Sequence, residues 1–209
     1  MSGPRYPIPS TQHRIEQLIE RSRFICTLAP ARTTAEAQAF VKAMNAEFPD
    51  ATHNCWAYVV GPPGSTSQVG MSDAGEPHGT AGRPMLTVLL HAGVGDVAAV
   101  VTRYFGGTKL GTGGLVKAYG GAVQEALASL PRVERVEYAT VAIEVAYPAV
   151  SALQQLWSVH EVRVLAEEYG ASARFTVQVP EGNLEALRAG VMDATRGQAG
   201  FTPAALGAE

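Results

Sequence analysis

The residues whose types and spacing suit chemistry gather in two glycine-rich blocks. The first, SDAGEPHGTAGRP, runs from Ser72 to Pro84 and holds Asp73, Glu76 and His78. Two carboxylates and an imidazole so close in sequence are the raw material of an acid–base pair or a metal site. The same residue types also form turns: Asp73 can accept from backbone N–H groups two residues on, and Glu76, before Pro77, can do likewise or pair with Arg83. The second block, RYFGGTKLGTGGLVKAY, runs from Arg103 to Tyr119. It sets Arg103, Tyr104, Lys109, Thr112 and Lys117 beside Gly106, Gly107, Gly111, Gly113 and Gly114. A glycine-rich turn that feeds a helix leaves backbone N–H groups free and aims the positive end of the helix dipole at one spot. Such a place takes anions, and Arg83, Arg103, Lys109 and Lys117 are the cations to accompany it. The alternative is mechanical, with the glycines supplying positive φ and close helix-to-strand packing. The Walker order GxxxxGK[ST] is absent.

Outside the blocks, His53 and Cys55 share one face of a strand. They form either a Cys–His nucleophile pair, for which no third orienting group is evident, or part of the core. Tyr104 or Phe105 could stack a base at the end of a buried strand, and packing is the other use of Phe105. Trp56 and Trp157 read as core. No catalytic residue, metal or cofactor is assigned, and Asp73, Glu76 and His78 stand as the candidates for an acid or base.

The elements that must position these residues follow from periodicity. Leu115, Val116, Tyr119, Val123, Ala126 and Leu127 recur at helical spacing after the second block, and Pro131 stops that helix. VAAVVTRYF, after Asp96, is a nearly all-apolar run expected to be a strand buried on both faces. Pro84 suits the first position of a short helix ending at Gly93. HNCWAYVVG is a strand with QVGM as its hairpin partner. Thr33 and Glu36 form a capping box for a helix that Pro49 ends. The stretch Thr11 to Leu28 fits a helix or strands, and the three prolines in the first ten residues suggest an arm. From Glu134 the order β-α-β-β-α indicates a split βαβ, ferredoxin-like domain.

Bulk properties narrow the class. With 46% hydrophobic and 17% charged residues the chain is an ordinary globular protein. No apolar run approaches the roughly 20 residues of a membrane span, and MSGPRYPIPS lacks a signal-peptide core, so no membrane association is expected. Cys26 and Cys55 read as buried free thiols of a cytoplasmic protein. A net charge of −3 excludes a strongly basic nucleic-acid binder, but the charge is uneven. Residues 1–132 carry 11 Lys/Arg against 9 Asp/Glu, whereas 133–209 carry 5 against 10, so a polyanion would meet the first half.

Together, SRF at Ser22 to Phe24, HNCWAY at His53 to Tyr58, the two glycine blocks and the ferredoxin-like tail resemble the bacterial YigZ family, whose first domain is shared with eukaryotic IMPACT proteins. The resemblance covers nearly the whole chain. It implies a first domain like the second domain of a small-subunit ribosomal protein and domain IV of elongation factor G, and a tail like domain V of that factor. By that analogy Thr11 to Leu28 is strand. Eukaryotic relatives modulate translation initiation by competing for a kinase activator; they carry an additional N-terminal domain that this chain is expected to lack, and a bacterium would lack the kinase, so that mechanism is not carried over. The chain departs from the family pattern at Ala74, where a second Asp is usual, at His78 and at Thr108. Loss of that second acid weakens a metal site built on an Asp pair. The expectation is therefore an α+β protein of two domains, 1–132 and 133–209. Its function would be non-enzymatic and translation-associated, binding RNA, the ribosome or another phosphate-bearing partner through the first domain. The alternatives are an enzyme on a small phosphorylated substrate and a protein–protein regulator of translation or stress response.

Overall fold

The computed structural model describes residues 5–204, which form two compact units. One runs from Tyr6 to Arg135, and the other from Val136 onward, with Arg5 belonging to it.

In the first unit a five-stranded antiparallel sheet is built from β2 (His13–Ile19), β3 (Ser22–Pro30), β4 (His53–Val60), β5 (Gln68–Ser72) and β6 (Val97–Tyr104), in the order β2-β3-β6-β4-β5. The central strand β6 is buried from Val97 to Arg103, as its apolar run leads one to expect. Alternate residues serve opposite faces. Val97, Ala99 and Val101 meet α2 (Gly82–His91) and α3 (Gly111–Ala128), while Ala98 and Val100 join clusters with residues of α1 (Thr34–Glu47). Thr33 caps α1 as predicted, its Oγ1 accepting from Glu36 N at 3.1 Å, while Glu36 Oε2 reaches one residue past the N-cap to accept from Arg32 N at 2.7 Å.

Thr11 to Leu28 proves to be a hairpin, with Ile19 opposite Ser22 and the turn made by Glu20 and Arg21 at φ +45° and +66°. That is the positive-φ geometry of a tight two-residue turn, here without glycine. The expected arm is corrected in part. Tyr6–Pro9 form β1, paired antiparallel with β7 (Arg132–Arg135), and Tyr6 and Ile8 are buried; residues 1–4 lie outside the described residues. Pro84 is the third residue of α2 rather than its first, which is tolerated because first-turn N–H groups have no helical acceptor.

The second unit has the order β8 (Tyr138–Val145), α4 (Val150–Val159), β9 (Arg163–Tyr169), β10 (Ala173–Pro180), α5 (Leu184–Ala194) and β11 (Gly200–Pro203). Its antiparallel sheet, β11-β8-β10-β9, is the ferredoxin-like arrangement, with one strand more than periodicity suggested. Val141, Ile143 and Val145 point inward with Leu153, Phe175, Leu187 and Val191.

Candidate functional site

The strand register builds the site. Phe24 of β3 and His53 of β4 lie on either side of Arg103 of β6, so the three share a row on the face that meets α2 and α3. One row further in, Cys26, Val101 and Cys55 are fully buried core. Polar chemistry therefore begins where the apolar sheet ends.

The first glycine block folds over this end of the sheet. Asp73 accepts backbone N–H bonds from Gly79 at 2.7 Å, Ala81 at 3.0 Å and Gly82 at 2.8 Å, which caps the start of α2. Gly82 is required there, since a Cβ would stand 2.9 Å from the backbone of Ser72. Partial burial pushes the Asp73 carboxyl up, but the bonds from Gly79, Gly82 and Ala81 outweigh it and hold the group below the usual aspartate range. His78 points into solvent, its Nδ1 3.8 Å from Asp73 Oδ2. The candidate trio of Asp73, Glu76 and His78 is thus divided between three settings.

Glu76 turns inward, its side chain only 3% exposed. Its Oε1 accepts from Arg103 Nη1 at 2.5 Å and from the Tyr119 hydroxyl at 2.8 Å. Arg103, not Arg83, is its partner, because the buried end of β6 lies beneath the loop while Arg83 is exposed on α2. His53 Nε2 stands 3.9 Å from Glu76 Oε2, and His53 Nδ1 is 2.9 Å from the carbonyl of Ala74. Arg103 also donates to Ser22 Oγ at 3.4 Å and lies over the rings of Phe24 and Phe105. Its Nε is buried and has no hydrogen-bond partner, the one such side-chain atom among the described residues.

Cys55 donates to the carbonyl of Asp73 at 2.9 Å, and burial pushes its thiol up to about 12. That thiol stays protonated at neutral pH, which removes the Cys–His nucleophile reading. Burial likewise pushes the Cys26 thiol far up; both cysteines are free.

Beside the buried pair, α3 begins with an open N-terminus. Leu110 occupies its N-cap position and supplies no side-chain hydrogen bond. Gly111, Thr112 and Gly113 are exposed, and nothing lies within 4 Å of where a Cβ would stand on Gly111 or Gly113. Gly111 has φ +69°, whereas Gly113 sits in ordinary helical geometry. A cavity of about 310 Å³ lies here, walled by Glu76, Arg103, Phe105, Lys109, Gly111 and Thr112.

Other residues of the second block have different settings. Gly106 is a packing device: a Cβ would come 1.8 Å from the Arg21 carbonyl oxygen. Gly107 turns the chain at φ +88°, and Gly114 packs on Leu110. Tyr104 faces the opposite side of the sheet, donating to Asp50 at 2.9 Å with its ring under Arg23. Lys117 and Arg83 line a groove of about 560 Å³ between α2 and α3. Sequence reasoning placed Tyr119 only in the core. A signal was available, since a buried tyrosine hydroxyl demands a polar partner. Among the described residues no group of three or more His, Cys, Asp or Glu could hold a metal ion, and no helix is long and apolar enough to cross a membrane.

The fold and site together define a two-unit α+β protein with a small cavity at an open helix start, backed by a buried Glu–Arg–Tyr cluster. A family model described as the Impact N-terminal domain matches residues 20–127, and one described as a domain of unknown function (DUF1949) matches 143–198. The chain is 40% identical over 190 residues to the IMPACT family member YigZ of Escherichia coli, covering 91% of this chain and 93% of that protein. An IMPACT family member of Haemophilus influenzae is 37% identical over 193 residues, or 92% and 94% of the two chains. A crystal structure described as a hypothetical protein superposes with a TM-score of 0.68 at 37% identity, over 98% of both chains. The chain belongs to the IMPACT family.

Proposed function

We propose that this is a non-enzymatic, translation-associated protein whose first unit binds RNA, the ribosome or another phosphate-bearing partner at the start of α3. One observation carries the proposal: α3 presents uncapped amides of Gly111 and Thr112 to a cavity that Lys109 and Arg103 also line. Unsatisfied N–H groups, the helix dipole and a lysine favour the same occupant, an oxygen-rich anion. Gly113 adds support. Inside a helix glycine costs about 1 kcal/mol relative to alanine, and here neither φ nor a close neighbour calls for it. Bare backbone at that point suits a partner that approaches the helix itself. Two free buried thiols favour a cytoplasmic setting.

Titration of single-stranded RNA against salt tests the proposal. Arg103 is already paired with Glu76, so the cations left for phosphate are the exposed Lys109, Lys117 and Arg83. Three contacts predict that log K falls against log salt with a slope of about −2, and Lys109→Ala should bring it to about −1.4. Affinity that ignores both salt and Lys109 would rule the site out.

Glu76 favours a second reading, an enzyme acting on a small phosphorylated substrate. It is a buried carboxylate on the wall of a cavity, with an imidazole 3.9 Å from its second oxygen. Asp73 is engaged by three amides and His78 faces solvent, which leaves Glu76 to serve as acid or base. Turnover of a phosphorylated substrate that Glu76→Gln abolishes, in a folded variant, would favour the enzyme.

A further inference from the structure

The cavity at the start of α3 presents a polar atom that phosphate binding alone leaves unused. Glu76 Oε1 is fully engaged by Arg103 and Tyr119, but Oε2 makes no hydrogen bond among the described residues. Its nearest cation is His53 Nε2, too far at 3.9 Å for a hydrogen bond. Arg103, 5% exposed and also on the cavity wall, keeps a buried Nε–H without an acceptor. Glu76 Oε2 is an acceptor open to the cavity, on a carboxylate whose side chain is otherwise only 3% exposed. An occupant that fits brings a hydrogen-bond donor for Oε2 and negatively charged acceptor oxygens for the α3 amides.

We propose that the cavity holds one ribonucleotide unit. Its phosphate lies on the amides of Gly111 and Thr112 with Lys109, its ribose 2′-hydroxyl donates to Glu76 Oε2, and its base lies against Phe105. This rests on the phosphate-binding reading above and specifies its ligand. The donor is a neutral hydroxyl rather than an ammonium because Arg103 already balances the Glu76 charge at 2.5 Å. What remains is an acceptor without excess negative charge. The anion is a phosphate rather than a carboxylate because Lys109 and the helix dipole both stand uncompensated, which favours the more highly charged group. The size is that of one unit: about 310 Å³ is at the small end of ligand sites and leaves no room for a base pair. Phe105, 47% exposed at the rim, offers ring surface on which an unpaired base stacks. A 2′-hydroxyl is the group by which a protein tells RNA from DNA at a single site.

The ligand, rather than the protein, should be altered in the test, since Glu76 and Arg103 also hold the fold. Binding of the full chain is measured by calorimetry at one salt concentration, with a ten-nucleotide oligoadenylate RNA, its DNA counterpart, AMP and dAMP. A hydrogen bond to a charged group predicts that the RNA binds about tenfold or more tighter than the DNA. The same preference for AMP over dAMP identifies a free nucleotide as sufficient, whereas RNA binding without AMP binding identifies a nucleotide within a chain. Phe105→Ala removes a ring that also lies over Arg103 and should cost a little thermal stability, but RNA binding by the folded variant should weaken, and undiminished binding would overturn the base contact. RNA and DNA bound equally, and both weakened by Lys109→Ala, would overturn the ribose contact while leaving phosphate binding intact. No binding of any of the four would overturn both.

Discussion

Arg103 shows how much of the site is settled by a single side chain. It ends a buried strand, so its guanidinium has left water, and its cost in the core is met by Glu76, Ser22 Oγ and two aromatic rings. Arg103→Ala leaves Glu76 buried without its counter-ion, and the expected loss is about 3–5 kcal/mol in urea unfolding. A loss under about 1 kcal/mol would mean the pair is hydrated and not a support for the fold. Asp73 makes a prediction of a different kind. Its folded pKa lies below its unfolded value of about 3.9, so its contribution is fully present above that value and fades as pH falls through the folded one. Asp73→Asn should therefore be less stable than the parent at pH 7. The gap should narrow as the pH is lowered from about 5 to about 3 in parallel urea series. A gap that does not change with pH would show that the three backbone bonds, rather than the charge, carry the effect.

Among the elements, α3 carries the conflict between stability and function. Gly113→Ala removes a glycine from a helix where a methyl meets nothing within 4 Å, and it should stabilise the first unit by about 0.5–1 kcal/mol. Gly113 is exposed in the same first turn as the amides offered to phosphate, so a partner that approaches the helix itself should bind less tightly as melting temperature rises. If affinity rises or holds, the helix start is not the contact surface. Elements like α3 and β6 were legible because their periodicity coincides with their burial. Periodicity left the hairpin β2–β3 open between helix and strand, and the family resemblance rather than the pattern favoured strand: Leu18 is 75% exposed, and with Ile15 and Ile19 it mimics a helical stripe that burial of alternate residues contradicts. Strand β1 was missed because its prolines read as linker, and its pairing with β7 lies over a hundred residues away. The site was legible in part for the same reason. Glycine and lysine spacing marked the helix start. The Glu76–Arg103–Tyr119 contact spans 27 and 43 residues from Glu76 and exists only once the sheet register sets it.

For the whole molecule, each unit owns a separate apolar core, one around Phe24, Val101 and Tyr119 and another around Ile143, Phe175 and Leu187. Each unit should then fold from its own sequence, and the proposed binding site needs only the first. Where that unit ends is a question of Asp96. This residue is fully buried at φ +46°, and its carboxylate accepts from the Tyr6 hydroxyl at 2.9 Å, from Gly61 N at 2.8 Å and from Arg135. Tyr6 belongs to β1 and Arg135 to β7, so Asp96 ties the pair of terminal strands to the main sheet. A fragment of residues 5–135 is expected to unfold in one cooperative transition and to keep the RNA affinity and salt slope of the full chain. Ending the fragment at 132 deletes most of β7 and takes Arg135 from a buried carboxylate, so it should lose several kcal/mol by comparison. If the two fragments are equally stable, Asp96 is satisfied without Arg135, and the boundary is set by the sheet alone.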